Sequence, residues 1–463
     1  MKPNILLIHS DQHRYDCVGA HRLRPDVATP RLDRLAAEGT RFSRAFSTVP
    51  ICTPARASLL TGAWPTTHGC FCIPTAEINR AARTDLPTVH RLLHGAGYRI
   101  AWTGKFHGEQ VTGPGEDPCV EDYVSPGDYR PPDGPGRRPT PLERPNGYFG
   151  DPEPTTDTQS HALGWQADQV IRQITERREA PFFIRWDPPE PHLPCNPSAS
   201  FADRFAEAAI PPWPSFPDRL EGKPAAQRRQ QNLWGTRDWR WEDWLRTVRL
   251  YYAIIAEMDH HIGRVLDALE RLGLAENTLV IYSSDHGDYC GGHSQMDKHF
   301  AMYEDLVRVP LILRWPGKLE AGSQCEAFAS NSIDIARTLL AAADVDAPET
   351  FVGQDLTALA TGRIREPRPY AFSQYFGTES GAYSLRMLRD ERYKFVYHPV
   401  GDRHEFYDLE SDPGEQHNRI DDPALADDIR RLKYDLWETM SGIGDRLANR
   451  WTRLELQAAK DPA

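Results

Sequence analysis

An α/β fold, with a large, mixed but mostly parallel central sheet sandwiched by helices and a smaller C-terminal α+β subdomain, is what this 463-residue sequence predicts. Three observations carry that expectation. Short unbroken apolar runs recur at residues 4–8, 98–102, 181–186, 277–283 and 308–315, the pattern of strands buried on both faces. Segments of helical period, closed by stop residues, alternate with those runs, which is the organisation of a helix-covered sheet. Beyond a polar, proline-containing stretch at 361–368, "YSLRMLRDERYKFVYHP" and "HEFYDLESDP" read as antiparallel strands joined by turns.

The elements follow in order. "NILLI" opens the chain as a buried strand and "TPRLDRLAAEG" is a helix stopped by Gly39. "TPARASLLTG" is a compact helix, opened by Pro54 and ended by Gly62. The helix "LPTVHRLLHGAG" leads into the strand "YRIAW". Residues 111–156 are crowded with proline, glycine and charge and read as a long surface excursion near the site. The helix "GWQADQVIRQITERRE" precedes the strand "PFFIRW". Trp213, Trp234, Trp239, Trp241 and Trp244 then lie among charged residues in 211–244, either as an aromatic lid or subunit contact or as tryptophans packed inward. The long helix "RTVRLYYAIIAEMDHHIGRVLDALERLG" and the strands "NTLVIYS" and "RVPLILRW" complete the large unit.

The stretch at 361–368 places the boundary, giving a catalytic domain over 1–365 and a subdomain over 366–463 with a helix from about 423 to 442. The last segment, 446–463, is either a helix serving a homo-oligomer or a frayed end.

Lys and Arg number 54 against 66 Asp and Glu, a formal charge of −12. That balance argues against nucleic acid or an anionic membrane as the main partner, but leaves room for an anionic small molecule where positive charge is locally concentrated. The first apolar run is too short for a signal-peptide core or a membrane span, so a cytoplasmic protein is expected. Eight scattered cysteines lack a framework or zinc-finger spacing and read as free, mostly buried thiols.

In open α/β sheets the ligand lies beyond the carboxyl ends of the strands. Asp11 and Gln12 follow the first strand, Lys105 and His107 follow "YRIAW", His192 follows "PFFIRW", and Asp285, His286 and Asp288 follow "NTLVIYS". Two strand-end carboxylates, each beside a neutral ligand type, suit a divalent cation; the structural alternative is a pair of capping aspartates. Cys52 sits at the positive pole of the compact helix with Arg56 one turn in, a place that stabilises an anion. There the thiol is either a low-pKa nucleophile or an inert buried cysteine.

The pentapeptide Cys52-Thr53-Pro54-Ala55-Arg56, with "LLTG" after it, has the form C-x-P-x-R and resembles the signature of the type I, formylglycine-dependent sulfatases of the alkaline phosphatase superfamily. "SDQ" at the first strand end, "GYRIAWTGKFH", "PHLP", "SDHGD", "MDKHFAMYEDLVRVPLILRWPG" and the closing "HEFYDLESDPGEQHNR" match that family's motifs in order, from residue 4 to about 419. The resemblance implies an alkaline phosphatase/sulfatase-like fold and hydrolysis of a sulfate monoester, such as a sulfated sugar or another small organic sulfate. It implies that Cys52 is oxidised by a formylglycine-generating enzyme to Cα-formylglycine, whose hydrate attacks sulfur with one hydroxyl and expels sulfate with the other. Asp11, Gln12, Asp285 and His286, with modified Cys52, would bind the metal, and Asp285 would also take the diol proton. Arg56 would hold the diol, while Lys105 and Lys298 neutralise sulfate oxygens. His107 would release sulfate, and His192, helped by Lys298, would protonate the departing alcohol.

Many members of that family carry a second Asp where Gln12 sits and Asn where His286 sits. Ca²⁺ stays the first expectation, with Mn²⁺ or Mg²⁺ as alternatives. Phe106 replaces a usual Trp. A phosphonate monoester or phosphodiester hydrolase of the same superfamily is the near alternative, with the "GKFH" segment favouring a sulfatase. A non-catalytic binding protein on the same scaffold, and a thiol nucleophile acting on an acyl substrate, are the alternatives from other classes.

Overall fold

A computed structural model of the chain describes residues 2–24, 26–73, 83–107, 113–130, 149–153, 157–377 and 382–457. In chain order the strands are β1 (Asn4–Ser10), β2 (Thr40–Phe42), β3 (Ala45–Phe46), β4 (Arg99–Gly104), β5 (Asp122–Val124), β6 (Phe182–Asp187) and β7 (Thr278–Ser284). They continue with β8 (Leu311–Arg314), β9 (Ser323–Cys325), β10 (Ala329–Ser330), β11 (Ala371–Gly377), β12 (Tyr383–Arg389), β13 (Tyr393–Tyr397) and β14 (Glu405–Asp408).

Eight of them form one sheet in the order β5-β4-β6-β1-β7-β8-β2-β9. The first five neighbours are parallel, β8 is antiparallel to both β7 and β2, and β9 is parallel to β2. The sheet is therefore mixed and mostly parallel, as the apolar runs require. Every residue of β1, β6 and β7 is buried.

The alternation of side chains along β1 divides the core. Leu6 and Ile8 join Ile184 and Val280 under the helices Ala162–Arg177 and Trp241–Arg271. Ile5 and Leu7 join Phe183 and Ile281 against the helices Cys52–Thr61, Val89–Gly95 and Asn331–Ala342. Each such fully buried side chain contributes roughly 1.5–3 kcal/mol, and both layers converge on the strand ends that follow β1, β4, β6 and β7.

The C-terminal sheet is antiparallel, β11-β12-β13-β14. Phe395, Leu388 and Phe406 pack under Leu432, Leu436 and Met440 of the helix Ala426–Gly442. Its opposite face sets Tyr375, Leu385, Met387 and Val396 against Phe46, Val49, Ile51 and Cys52. The small module thus buttresses the mouth of the cysteine-bearing helix.

Two expectations change in detail. Of the surface excursion read at 111–156, residues 111–112, 131–148 and 154–156 lie outside the described residues, and Asp122–Val124 is the edge strand β5, paired with β4. Three residues among prolines and glycines are too few to show a strand period. The tryptophans of 211–244 pack inward. Trp213 donates its indole N–H to the Cys290 carbonyl and Trp241 to the Ile210 carbonyl, both at 2.7 Å, while Trp244 and Trp239 pack around Phe149. Among the described residues no helix is long and apolar enough to cross a membrane.

Candidate active site

The helix Cys52–Thr61 is buried along its whole length, begins after extended Ile51 and ends on Gly62 in the left-handed region. Being wholly buried, it points its N-terminal amides and Cys52 into the protein rather than into solvent, so the partial positive charge of its first turn is little screened. Arg56, one turn in, is fixed by three strand-end carboxylates. Its Nε donates to Asp285 at 3.0 Å, Nη1 to Asp187 at 2.9 Å and Nη2 to Asp11 at 3.1 Å. All four side chains are buried, and the three carboxylates hold the guanidinium pKa above its ordinary value against the opposing effect of burial. This is the joint on which the site is built.

Lys105, just past β4, pairs with Asp11 Oδ2 at 2.7 Å. Burial alone would raise the Asp11 carboxyl; Lys105, His192 and Arg56 instead hold it well below the usual range. Asp285 goes the other way, raised first by burial and then by the negative charge of Asp11. Its Oδ1 accepts the backbone N–H groups of Gln12 at 3.1 Å and His286 at 2.9 Å.

The donor set fits a divalent cation. Asp11, Cys52 and His286 each offer a ligand atom within 4.8 Å of the others. His286 Nδ1 lies 2.8 Å from the Gly287 carbonyl, which can only accept, so Nδ1 carries the proton and Nε2 a lone pair. That Nε2 and Asp11 Oδ1 are both buried without a hydrogen-bond partner, and they lie 3.9 Å apart. Two buried acceptor atoms this close, with the Cys52 side chain beside them, are an arrangement that a cation between them would stabilise. Asp285 Oδ1 borders the group, 3.7 Å from His286 Nε2.

Gln12 is placed differently from the expectation that it ligates through its side chain. Its carboxamide NH₂ donates to Asp288 at 2.6 Å and Asp297 at 3.0 Å, and its oxygen accepts from Lys298 at 3.0 Å. In this arrangement the amide orients Lys298.

Cys52, His107, His192 and Lys298 line one cavity of about 470 Å³. Burial opposes a Cys52 thiolate, yet the ammonium groups of Lys105 and Lys298 bring the thiol below its usual range. His192 Nδ1 lies 2.6 Å from the Leu193 carbonyl, so its proton sits there, and Nε2 accepts from the Lys298 ammonium at 3.1 Å. Burial, Lys298 and Lys105 lower His192 to about 3. The transferable proton therefore rests on the Lys298–His192 pair, not on His192 alone.

Every expected site residue is thus within this cluster. Two more belong to it. Asp187, the last residue of β6, pairs with Arg56 and Arg185; its position at a strand end, like that of the residues after β1 and β7, was the available signal. Asp297 holds Lys298 at 3.1 Å and has left-handed backbone, φ 68°; only its adjacency to Lys298 pointed to it.

Nucleophile-bearing helix, strand-end acids and facing bases in these positions are the plan of hydrolases of the alkaline phosphatase superfamily. The chain belongs to the sulfatase family, whose model, described as Sulfatase, matches residues 3–345. A second model, N-sulphoglucosamine sulphohydrolase, C-terminal, matches residues 291–441. Members of the family are in general formylglycine-dependent metal sulfatases. The chain is 31% identical to the uncharacterized sulfatase YidJ of Escherichia coli (strain K12) over 465 residues, which cover 96% of this chain and 88% of that protein. The phosphonate monoester hydrolase of Agrobacterium radiobacter superposes with a TM-score of 0.81 at 25% identity, covering 96% of this chain and 95% of that one. A protein solved with its substrate D-glucosamine-2-N,6-O-disulfate superposes with a TM-score of 0.78 at 24% identity, covering 96% and 99%, a likeness of fold.

Proposed function

We propose that this sulfatase-family hydrolase cleaves a sulfate monoester, using Cα-formylglycine made from Cys52 by a formylglycine-generating enzyme and one divalent cation, Ca²⁺ first, with Mn²⁺ admitted by the His286 nitrogen. The observation that carries the proposal is the meeting of Cys52 with Asp11 and His286 at the helix mouth, opposite the Lys298–His192 pair. When present, the hydrated aldehyde supplies a hydroxyl nucleophile with an internal route for releasing sulfate, and the cation polarises that hydroxyl and a sulfate oxygen.

The chain does the rest. Asp11 and His286 hold the cation, with Asp285 at its border. Arg56 fixes the strand-end acids Asp11, Asp187 and Asp285 at the helix mouth. Lys105 and Lys298 bring two ammonium charges to the sulfate oxygens, where negative charge spreads as the S–O bond breaks. Asp285, whose carboxyl is raised, accepts the proton of the attacking hydroxyl. The Lys298–His192 pair delivers a proton to the departing alcohol oxygen, and His107 removes the proton that frees sulfate.

Likeness to the phosphonate monoester hydrolase supports a second reading, hydrolysis of a phosphonate monoester in the same cavity. The Lys105 and His107 pair favours sulfate. Rates on 4-nitrophenyl sulfate and 4-nitrophenyl phenylphosphonate, measured on metal-loaded protein co-expressed with the maturing enzyme, decide between them. A sulfate preference is expected, and a large phosphonate preference overturns it. Ligand binding without turnover of either ester, insensitive to Cys52→Ala, would point to a binding protein instead.

A further inference from the structure

A second cavity, of about 430 Å³, lies against the first across the wall made by His192 and Leu193, and Lys105 stands on its lining. It contains no part of Cys52's surroundings beyond that wall. In a displacement at sulfur the leaving alcohol departs on the side away from the nucleophile, so the space reached past His192 and Lys105, and not lined by Cys52, is where the alcohol's own substituents extend.

Its lining carries two carboxylic acids. Glu190 and Glu153 border it, and the Glu190 Oε2 atom is buried with no hydrogen-bond partner. Glu257, fully buried behind His161, leaves Oε1 equally unpartnered, 3.7 Å from His161 Nδ1. His161 does not answer these carboxylates by direct hydrogen bonds, because Nδ1 accepts the Leu163 N–H at 3.3 Å and Nε2 lies 2.9 Å from the Asn196 carbonyl. Among the described residues Lys105 is the one ammonium or guanidinium on the lining, and it is paired with Asp11.

Burial raises the Glu190 carboxyl to about 7, and a buried carboxyl oxygen without a donor in the wall of a cavity is a costly arrangement that a positively charged ligand group relieves. Lys298 stands beside Cys52 on the first cavity, while Glu190 and Glu153 stand on the second, where Lys105 is already paired with Asp11. We infer that the alcohol released by this enzyme carries an ammonium group, seated against Glu190 and Glu153, so that the substrate is a zwitterionic sulfate ester of an amino alcohol or amino sugar. This deepens the sulfatase reading and rests on it.

The test uses 3-aminopropyl sulfate and butyl sulfate, which differ by ammonium for methyl, with 4-nitrophenyl sulfate as a third substrate, on the metal-loaded full chain. kcat/KM is expected to be about tenfold or more higher for the ammonium ester, a size typical of a single placed polar group. In Glu190→Gln and in Glu153→Gln that ratio is expected to fall toward one, mainly through KM for the ammonium ester. Turnover of 4-nitrophenyl sulfate with no ammonium preference, or a preference that both variants retain, overturns this inference and leaves the sulfatase reading standing. Failure on all three esters overturns both.

Discussion

His286 Nε2 faces Asp11 Oδ1 across 3.9 Å, and neither buried atom has a hydrogen-bond partner among the described residues. Such a buried pair suits a cation. One tightly held divalent ion per chain is therefore expected by elemental analysis. Stripping it is expected to lower the unfolding free energy, by about 2.7 kcal/mol where the free ion had stood at a hundred times its Kd. Asp11→Asn is expected to weaken the ion by at least tenfold to a hundredfold. An Asp11→Asn variant that retains wild-type metal affinity would refute this assignment.

Arg56 joins Asp11, Asp187 and Asp285 through one guanidinium. Replacing it with Met leaves three buried carboxylates without their shared partner. A loss of about 3–5 kcal/mol is expected in urea unfolding, together with loss of turnover. Arg56→Lys keeps the charge but not the three-way fork, and is expected to recover only part of either. Unfolding midpoints equal to wild type in both variants would contradict the structural role.

His68 lies against the same helix. Its Nδ1 accepts the Cys70 N–H at 3.1 Å and its Nε2 meets Ser58 Oγ at 3.0 Å, while burial lowers its pKa to about 3. Because the folded state binds the proton less readily than the unfolded state, His68's contribution is complete above about pH 6.5. It is lost as the pH falls from there toward 3, at up to ~1.4 kcal/mol per unit. Stability measured against pH is expected to slope less steeply in His68→Gln across that window. Identical slopes would sink the assignment.

Much of this arrangement was legible in the chain. The alternating runs gave the parallel strands because β1, β6 and β7 are buried on both faces, so apolar residues dominate them even where a buried polar one such as Arg185 intervenes. Asp11, Asp285 and Lys105 were readable as strand-end groups once the runs were placed, and Cys52 and Arg56 from their spacing on a Pro-opened helix. What could not be read is what depends on long-range approach. Gln12 sits beside a ligand in sequence, yet its amide is captured by Asp288, Asp297 and Lys298, more than 270 residues away in sequence. Asp122–Val124 is a strand only because β4 offers it an edge.

The hydrogen bond from Lys298 to His192 at 3.1 Å bears on leaving groups. If this pair protonates the alcohol, its removal harms esters of poor leaving groups most. His192→Ala is expected to lower kcat/KM by about 10²–10⁴ on an alkyl sulfate and by much less on 4-nitrophenyl sulfate, whereas Lys298→Ala, which also removes a charge at the sulfate oxygens, is expected to slow both esters and the alkyl ester more. Equal losses on both substrates would remove the pair from proton transfer.

The most direct measurement joins chemistry to position 52. Preparations carrying graded fractions of aldehyde at Cys52, quantified by mass spectrometry of the peptide that spans it, are assayed for sulfate-ester hydrolysis with metal in excess. Rate is expected to rise in proportion to the aldehyde fraction and to vanish with it. Full turnover by protein holding only cysteine at that position would contradict the proposed mechanism.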